Sequence, residues 1–132
     1  MSAHFTVCDE TPAGRTVQEF LLEFFNPALT VRELIELRVR TEVERFNRAA
    51  NGEVFRGLVQ PSDAELTLNG DRTRPPKLID AEQQCKSALH AFEANGFLLI
   101  VGDRQVESLD ERLTLDPEMR VAFVKLVPLV GG

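Results

Sequence analysis

Val31, Leu34, Ile35 and Val39 recur at helical spacing, and Val43 and Phe46 continue the stripe. Thr30 and Glu33 supply the S/T-x-x-E signature of a helix start. Asn26-Pro27 breaks whatever precedes, and Asn51-Gly52 ends the helix. Arg38, Arg40, Glu42, Glu44 and Arg45 fill the polar side. A helix this long, apolar along one side, has to lay that side on an apolar surface. The segments before and after it read as strands, so that surface is a sheet.

"HFTVCDE" sets Phe5, Val7 and Asp9 against His4, Thr6 and Cys8, the alternation of a first strand. Pro12 and Gly14 in "TPAGR" are turn residues. "TVQEFLLEFF" carries two periods. Val17, Phe20, Leu21 and Phe24 suit a helix, with Thr16 and Glu19 imitating a capping box, while Phe20, Leu22 and Phe24 suit one face of a strand. The short turn before it invites a hairpin, and a cleaner helix start follows, so the strand is the expectation.

Residues 51–79 are the least regular part, with two Asn-Gly pairs, Pro61 and Pro75-Pro76. Phe55, Leu58 and Val59 are candidates for the core, and Leu66 and Leu68 for a short strand. The basic cluster Arg72, Arg74 and Lys77 reads as a solvated loop rather than an anion site. "IDAEQQCKSALHAFEANG" is a second helix, capped by Asp80 with Gln83 completing the box. Its apolar stripe is Ala81, Cys85, Ala88, Leu89 and Phe92, and Gly96 is expected to take the left-handed position at its end. "FLLIVGDRQV" reads as a buried strand with a short partner at Gln105-Val106. Leu109, Leu113 and Leu115 point inward from "ESLDERLTLDPE", and "MRVAFVKLVPLV" is the last strand.

This order predicts an α+β fold: a mixed sheet with the long helix on one face and an inserted second helix. The first and last strands would lie side by side and parallel at the centre, a β-grasp arrangement. The 132 residues suffice for one domain over 1–132, with an insert at about 51–96. A net charge of −6 argues against a broad nucleic-acid surface. No apolar run is long enough to cross a bilayer, and "MSAHFTVCDE" carries no export signal, so a cytoplasmic protein without a membrane partner is expected. In that compartment Cys8 and Cys85 are expected as reduced thiols.

Catalysis by the chain itself is not expected. His4 and His90 are its only histidines, and neither has a nucleophile at a recognisable spacing. Asp9 and Glu10 beside Cys8 raise its thiol pKa and oppose nucleophilic use. CxxC, HExxH, P-loop and GxGxxG patterns are missing, and the acidic residues lack calcium-loop spacing, so no metal and no bound cofactor are expected.

From Phe97 onward, "FLLIVGDRQVESLDERLTL" resembles the stretch of ubiquitin-like proteins in which an apolar strand turns through a glycine and a basic residue. There a leucine after an acidic loop closes the core, as Leu113 and Leu115 would here. "DETPAGRTVQEF" resembles the first hairpin and "TVRELI" the start of the grasped helix. "VAFVKLVPLVGG" resembles two relatives: the Gly-Gly end of mature modifiers, and the proline-containing tails of sulfur carriers in molybdopterin and thiamin synthesis. The ending "LVPLVGG" resembles that of bacterial proteins of this general pattern, and the resemblance implies a bacterial ubiquitin-like protein. The resemblance covers about residues 4–50 and 97–132, and the segment 51–96 departs from it.

The resemblance implies that a partner activating enzyme adenylates the Gly132 carboxylate with ATP. The acyl group then passes to a cysteine thiol, or is converted to a thiocarboxylate. As a modifier the chain would meet a conjugating enzyme, target proteins and a deconjugating protease. As a sulfur carrier it would bear the thiocarboxylate on Gly132; a non-covalent β-grasp binding module is a third class. Gly131 and Gly132, lacking Cβ atoms, let the backbone approach other groups closely. Pro128 stiffens the tail and ends ladder pairing, and Leu129 and Val130 follow it. Size and the extra helix favour the modifier, and Pro128 in place of a basic residue favours the carrier. Lys77, Lys86 and Lys125 are the only sites for lysine-linked chains.

Alternation also proposes a partner surface. With Lys125 facing solvent, Val121, Phe123 and Val127 share its face, and Ala122, Val124 and Leu126 face the helix. Phe123 beside Ile100 would then form an exposed apolar patch. Alternatively the inserted helix covers this face and Phe123 is plain core.

Overall fold

The computed structural model describes residues 3–49, 57–59 and 79–126. The long helix, α1, spans Val31–Ala49. Its capping box forms in both directions: Glu33 N–H donates to Thr30 Oγ1 at 3.2 Å, and Thr30 N–H donates to Glu33 Oε1 at 3.0 Å. Two strands precede it, β1 at Ala3–Glu10 and β2 at Thr16–Phe24. The doubly periodic stretch is thus a strand. Gly14, at φ +86°, takes the left-handed position in the turn that joins them.

A three-residue strand, β3 at Ala28–Thr30, runs directly into α1. Beyond α1 come α2 at Ala81–Glu93, β4 at Phe97–Val101, β5 at Arg104–Val106, β6 at Arg112–Thr114 and β7 at Arg120–Lys125. The main sheet has five strands in the order β2-β1-β7-β4-β5. β1 and β7 are parallel neighbours, with Val7 opposite Val121 and Asp9 opposite Phe123, as the order of elements predicts. The other pairings in this sheet are antiparallel. β3 and β6 form a separate two-stranded sheet that buries Leu29 against Leu113, a pairing the sequence reading did not anticipate.

Alternation along the strands builds the core. Phe5 and Val7 of β1, Leu22 and Phe24 of β2, and Leu99 of β4 face α1, which returns Val31, Leu34, Ile35 and Val39. Leu109, Leu113 and Leu115 point inward as expected. Burying each such side chain contributes about 1.5–3 kcal/mol.

α2 packs on α1 on the same side of the sheet. Asn47 of α1 holds its entry, donating from Nδ2 to the Ile79 carbonyl at 2.9 Å and accepting the Ile79 N–H at 2.8 Å. Asp80 caps it, accepting from Glu82 and Gln83 N–H. Phe92 at its far end meets Phe97 of β4, ring centroids 5.7 Å apart. Its last turn differs from expectation in one detail: Asn95, at φ 60°, takes the left-handed conformation expected of Gly96. Asparagine is the non-glycine residue best suited to it. Gly96 N–H then donates back to the Ala91 carbonyl at 2.7 Å.

The faces of β7 are the reverse of those expected. Val121 and Phe123 are fully buried and point at α1, on the face of Val7 and Asp9. Ala122 and Val124 lie on the opposite face, away from the helix, with Ile100 and Leu98 of β4 as their neighbours. Lys125 does share the face of Val121 and Phe123. It sits at the sheet's end, where its long stem carries the ammonium out to the carboxylate of Asp9. A lysine there does not mark a solvent face. Phe123 is plain core, as the alternative reading has it, with Arg38 of α1 packed on its ring.

Candidate functional site

The segment that the sequence singles out follows β7 in the chain. Pro128, Leu129, Val130, Gly131 and Gly132, with Val127 of the expected patch, lie outside the described residues. β7 lies inside the sheet, paired on one side with β1 as far as Glu10 opposite Val124, and on the other with β4 as far as Phe97 opposite Lys125. One further backbone bond, Leu126 N–H to the Gly96 carbonyl at 3.0 Å, fixes the next residue. That carbonyl belongs to the turn after α2, so the inserted helix is tied to Leu126, the last described residue.

Below this point lies a buried charge network. Arg38 is wholly buried on α1 and Asp9 nearly so on β1. The guanidinium grips Asp9 with both terminal nitrogens and donates to Glu42, one turn on, from Nε at 3.3 Å. Bidentate pairing of this kind is among the strongest charge-assisted contacts. Asp9 Oδ2 also accepts from Gln18 at 3.3 Å and faces the Lys125 ammonium at 3.6 Å. Glu42 Oε1 accepts the Leu58 N–H at 3.0 Å, which draws the short described segment 57–59 onto the helix. Two cations and two carboxylates balance formally. The Phe123 and Phe20 rings flank the guanidinium, their centroids 4.4 and 5.3 Å from its carbon. Burial alone would weaken the charge on Arg38; Glu42 and Asp9 more than offset it and hold its pKa above the ordinary value.

A cavity of about 400 Å³ opens beside the network, lined by Asp9, Glu10, Thr11, Val17, Gln18 and Lys125 among others. It lies where the β1–β2 turn and the end of β7 come together.

Among the described residues of the expected patch, only Ile100 stands on the face away from α1, and it is half-buried. Val121 and Phe123 are core residues, so the exposed patch built on them is withdrawn. The reading of Arg38 as one of the residues of a polar side is corrected as well. Arg38 stands seven residues after Val31, on the apolar stripe itself. Asp9 shares the inward face of Phe5 and Val7. A carboxylate on one core-facing stripe and a guanidinium on the other is the sequence signal for this pair.

The two cysteines are buried and unbridged. Burial is the main cause that pushes the Cys8 thiol pKa up. Arg120 opposes it, and Glu19 and Glu10 add to it. Burial likewise raises Cys85, with Arg40 opposing. Among the described residues, no group of three or more His, Cys, Asp or Glu side chains is placed to hold a metal ion, and no helix is long and apolar enough to cross a membrane.

Comparison with protein-family models, with curated proteins and with solved structures finds no match to this chain.

Proposed function

We propose that this chain is a ubiquitin-like protein modifier with a β-grasp fold, activated at the Gly132 carboxylate. The observation that carries the reading is the place of β7: an interior strand parallel to β1, with its last described backbone anchor at Leu126. Pro128 to Gly132 follow that anchor in sequence, and proline is suited to ending a ladder there. The sheet order β2-β1-β7-β4-β5, with α1 on one face, is compatible with a β-grasp.

In this reading the chain is the substrate of its partners. The Gly132 carboxylate attacks the α-phosphorus of ATP in the activating enzyme, forming an acyl adenylate and releasing pyrophosphate. A cysteine thiol of the enzyme then displaces AMP to give a thioester. After transfer to a conjugating enzyme, a target amine attacks the thioester carbonyl, an amide forms and the thiol leaves. Donors that stabilise each oxyanion come from the partners. A sulfur carrier is the second reading, favoured by Pro128 in place of a basic tail residue.

The test is expression of the affinity-tagged chain in its native host, followed by mass spectrometry. A branched peptide carrying the Gly132 acyl group on another protein supports the modifier. Replacement of one terminal oxygen by sulfur, with no branched peptide, shows the carrier instead. Deletion of Gly131 and Gly132 is expected to abolish either product and to leave the fold intact. Equal reaction of the truncated chain refutes both readings.

A further inference from the structure

The sheet has two edges, and they are unlike. β5 is three residues long and carries Arg104, the kind of short, charged edge that resists pairing with other chains. β2 is nine residues long, TVQEFLLEF, without proline, lysine or arginine. Among the described residues it pairs only with β1, continuously from Ala3 opposite Phe24 to Asp9 opposite Gln18. Its one protective irregularity is the register shift at its first residues, which leaves Val17 unpaired. Of the large apolar side chains that are exposed among the described residues, most belong to this edge: Val17, Leu21 at 58% and Phe25, just past the strand, at 73%. The other one is Leu126.

The charge around this edge is one-sided. Glu19, Leu21 and Glu23 alternate on the face away from α1, opposite Cys8, Thr6 and His4. Arg120 is shared between Glu19 at 3.2 Å and Glu10 at 4.0 Å, and Glu23 has His4 at 3.9 Å. Three carboxylates therefore have one guanidinium among them. At the start of β2, Glu10 and Val17 line the cavity together with Asp9 and Lys125, which pair with each other. A second copy of this chain would set glutamates near glutamates, against a net charge of −6 on each copy. A basic partner strand meets no such opposition.

We propose that β2 is a docking edge for an extended segment of another protein in which basic and apolar residues take turns at every second position, basic-x-apolar-x-basic, so that both kinds lie on the face of Glu19, Leu21 and Glu23, and that this segment adds to the sheet as a sixth strand. Backbone hydrogen bonds to β2 hold it. Its apolar residues cover Leu21 and Phe25, and its basic residues meet Glu19, Glu23 and, at the cavity, Glu10. The inference is independent of what happens at Gly132.

The probes are two synthetic heptapeptides, Lys-Thr-Val-Thr-Lys-Thr-Val and Glu-Thr-Val-Thr-Glu-Thr-Val, each of which sets its charged residues and its valines on the same face of a strand. Each is titrated into the full chain while amide hydrogen exchange is followed residue by residue. The basic peptide is expected to slow exchange at alternate amides between Gln18 and Phe24, to bind at least about tenfold tighter than the acidic one, and to weaken with added salt. The double variant Leu21→Lys, Phe25→Lys, which removes the apolar contact and repels the basic peptide, is expected to abolish that protection. Both side chains are more than half exposed, so the variant should keep its fold, and its unchanged far-UV spectrum and melting temperature check this. Protection elsewhere than β2, equal binding of the acidic peptide, or survival of the protection in the double variant overturns the proposal. So does concentration-dependent protection of β2 without any peptide, which would assign the edge to a second copy.

Discussion

Arg38 and Asp9, 29 positions apart in the chain, meet inside it as a fork on a fork: Nη1 lies 2.5 Å from Oδ1 and Nη2 2.7 Å from Oδ2. The pair joins α1 to the middle of the sheet at the point where β7 ends. Glu42, Gln18 and Lys125 complete its surroundings.

Breaking this pair is expected to cost more than the pair itself contributes. Arg38→Met leaves Asp9 buried without its main partner, and a loss of about 3–5 kcal/mol of unfolding free energy should follow. Asp9→Leu strands the guanidinium in the same way. The double variant Arg38→Met, Asp9→Leu removes both charges and should recover much of either loss. Urea denaturation of the four proteins measures the coupling. Simple additivity of the two single losses would show that the pair is not a unit.

Phe123 and Ile100 separate the two faces of the sheet. Phe123 is fully buried between Arg38 and Phe97, its ring 5.7 Å from that of Phe97. Phe123→Ala is expected to cost about 3–5 kcal/mol. Ile100, half-buried on the opposite face, should cost clearly less on the same truncation, about 1–2 kcal/mol. A smaller loss at Phe123 than at Ile100 would mean that β7 presents the other face to α1.

These two residues also show what the sequence could and could not say. Periodicity together with the Thr30–Glu33 box and the Asp80 cap located α1 and α2, while the second strand of the β1–β2 hairpin carried two periods and was decided by the turn before it and the helix start after it. Periodicity separated the two sides of β7 correctly, since alternation is fixed by the pleat. It could not say which side is inward. That choice rested on Lys125, whose aliphatic stem reaches a carboxylate at the rim of the core. The β3–β6 pairing was hidden for another reason. Three-residue strands hold too few alternations to read, and Thr30 carried the stronger helix signal. Arg38 and Asp9 were legible separately as charges on core-facing stripes, but no local rule pairs residues so far apart. The tail residues Pro128 to Gly132 remain readable only as sequence.

The left-handed Asn95 supplies a prediction of opposite signs. At φ 60° any residue with a Cβ is strained, by about 1–2 kcal/mol outside the Asn and Asp exceptions. Asn95→Ala is therefore expected to destabilise the chain by about 1 kcal/mol, a drop in melting temperature of a few degrees. Asn95→Gly relieves the residual strain at the cost of a more flexible unfolded chain, and should hold stability within about 0.5 kcal/mol or raise it. Thermal unfolding of the two variants beside the parent checks the order. Equal effects of alanine and glycine would remove the conformational explanation.

The buried thiols set an alkaline limit on stability. Cys8 and Cys85 both have pKa values raised above 9.0, with burial as the first cause. In the unfolded chain each thiol ionises near its ordinary value, while in the folded chain it stays protonated to higher pH. The folded state then binds more protons than the unfolded one, so unfolding becomes easier as pH climbs. Below 9.0 this costs nothing. Above it, each thiol subtracts at most about 1.4 kcal/mol per pH unit, until the folded group itself ionises. Denaturation between pH 8 and 10 is expected to show this decline in the parent, less of it in Cys8→Ala or Cys85→Ala, and least in the double variant. Each variant is referred to its own stability at pH 8, which cancels the packing lost with the sulfur. Thiolate absorbance near 240 nm should rise in native protein only above the pH at which it rises in denaturant. Coincident titrations in the two solvents would show that the thiols are not shielded by the fold.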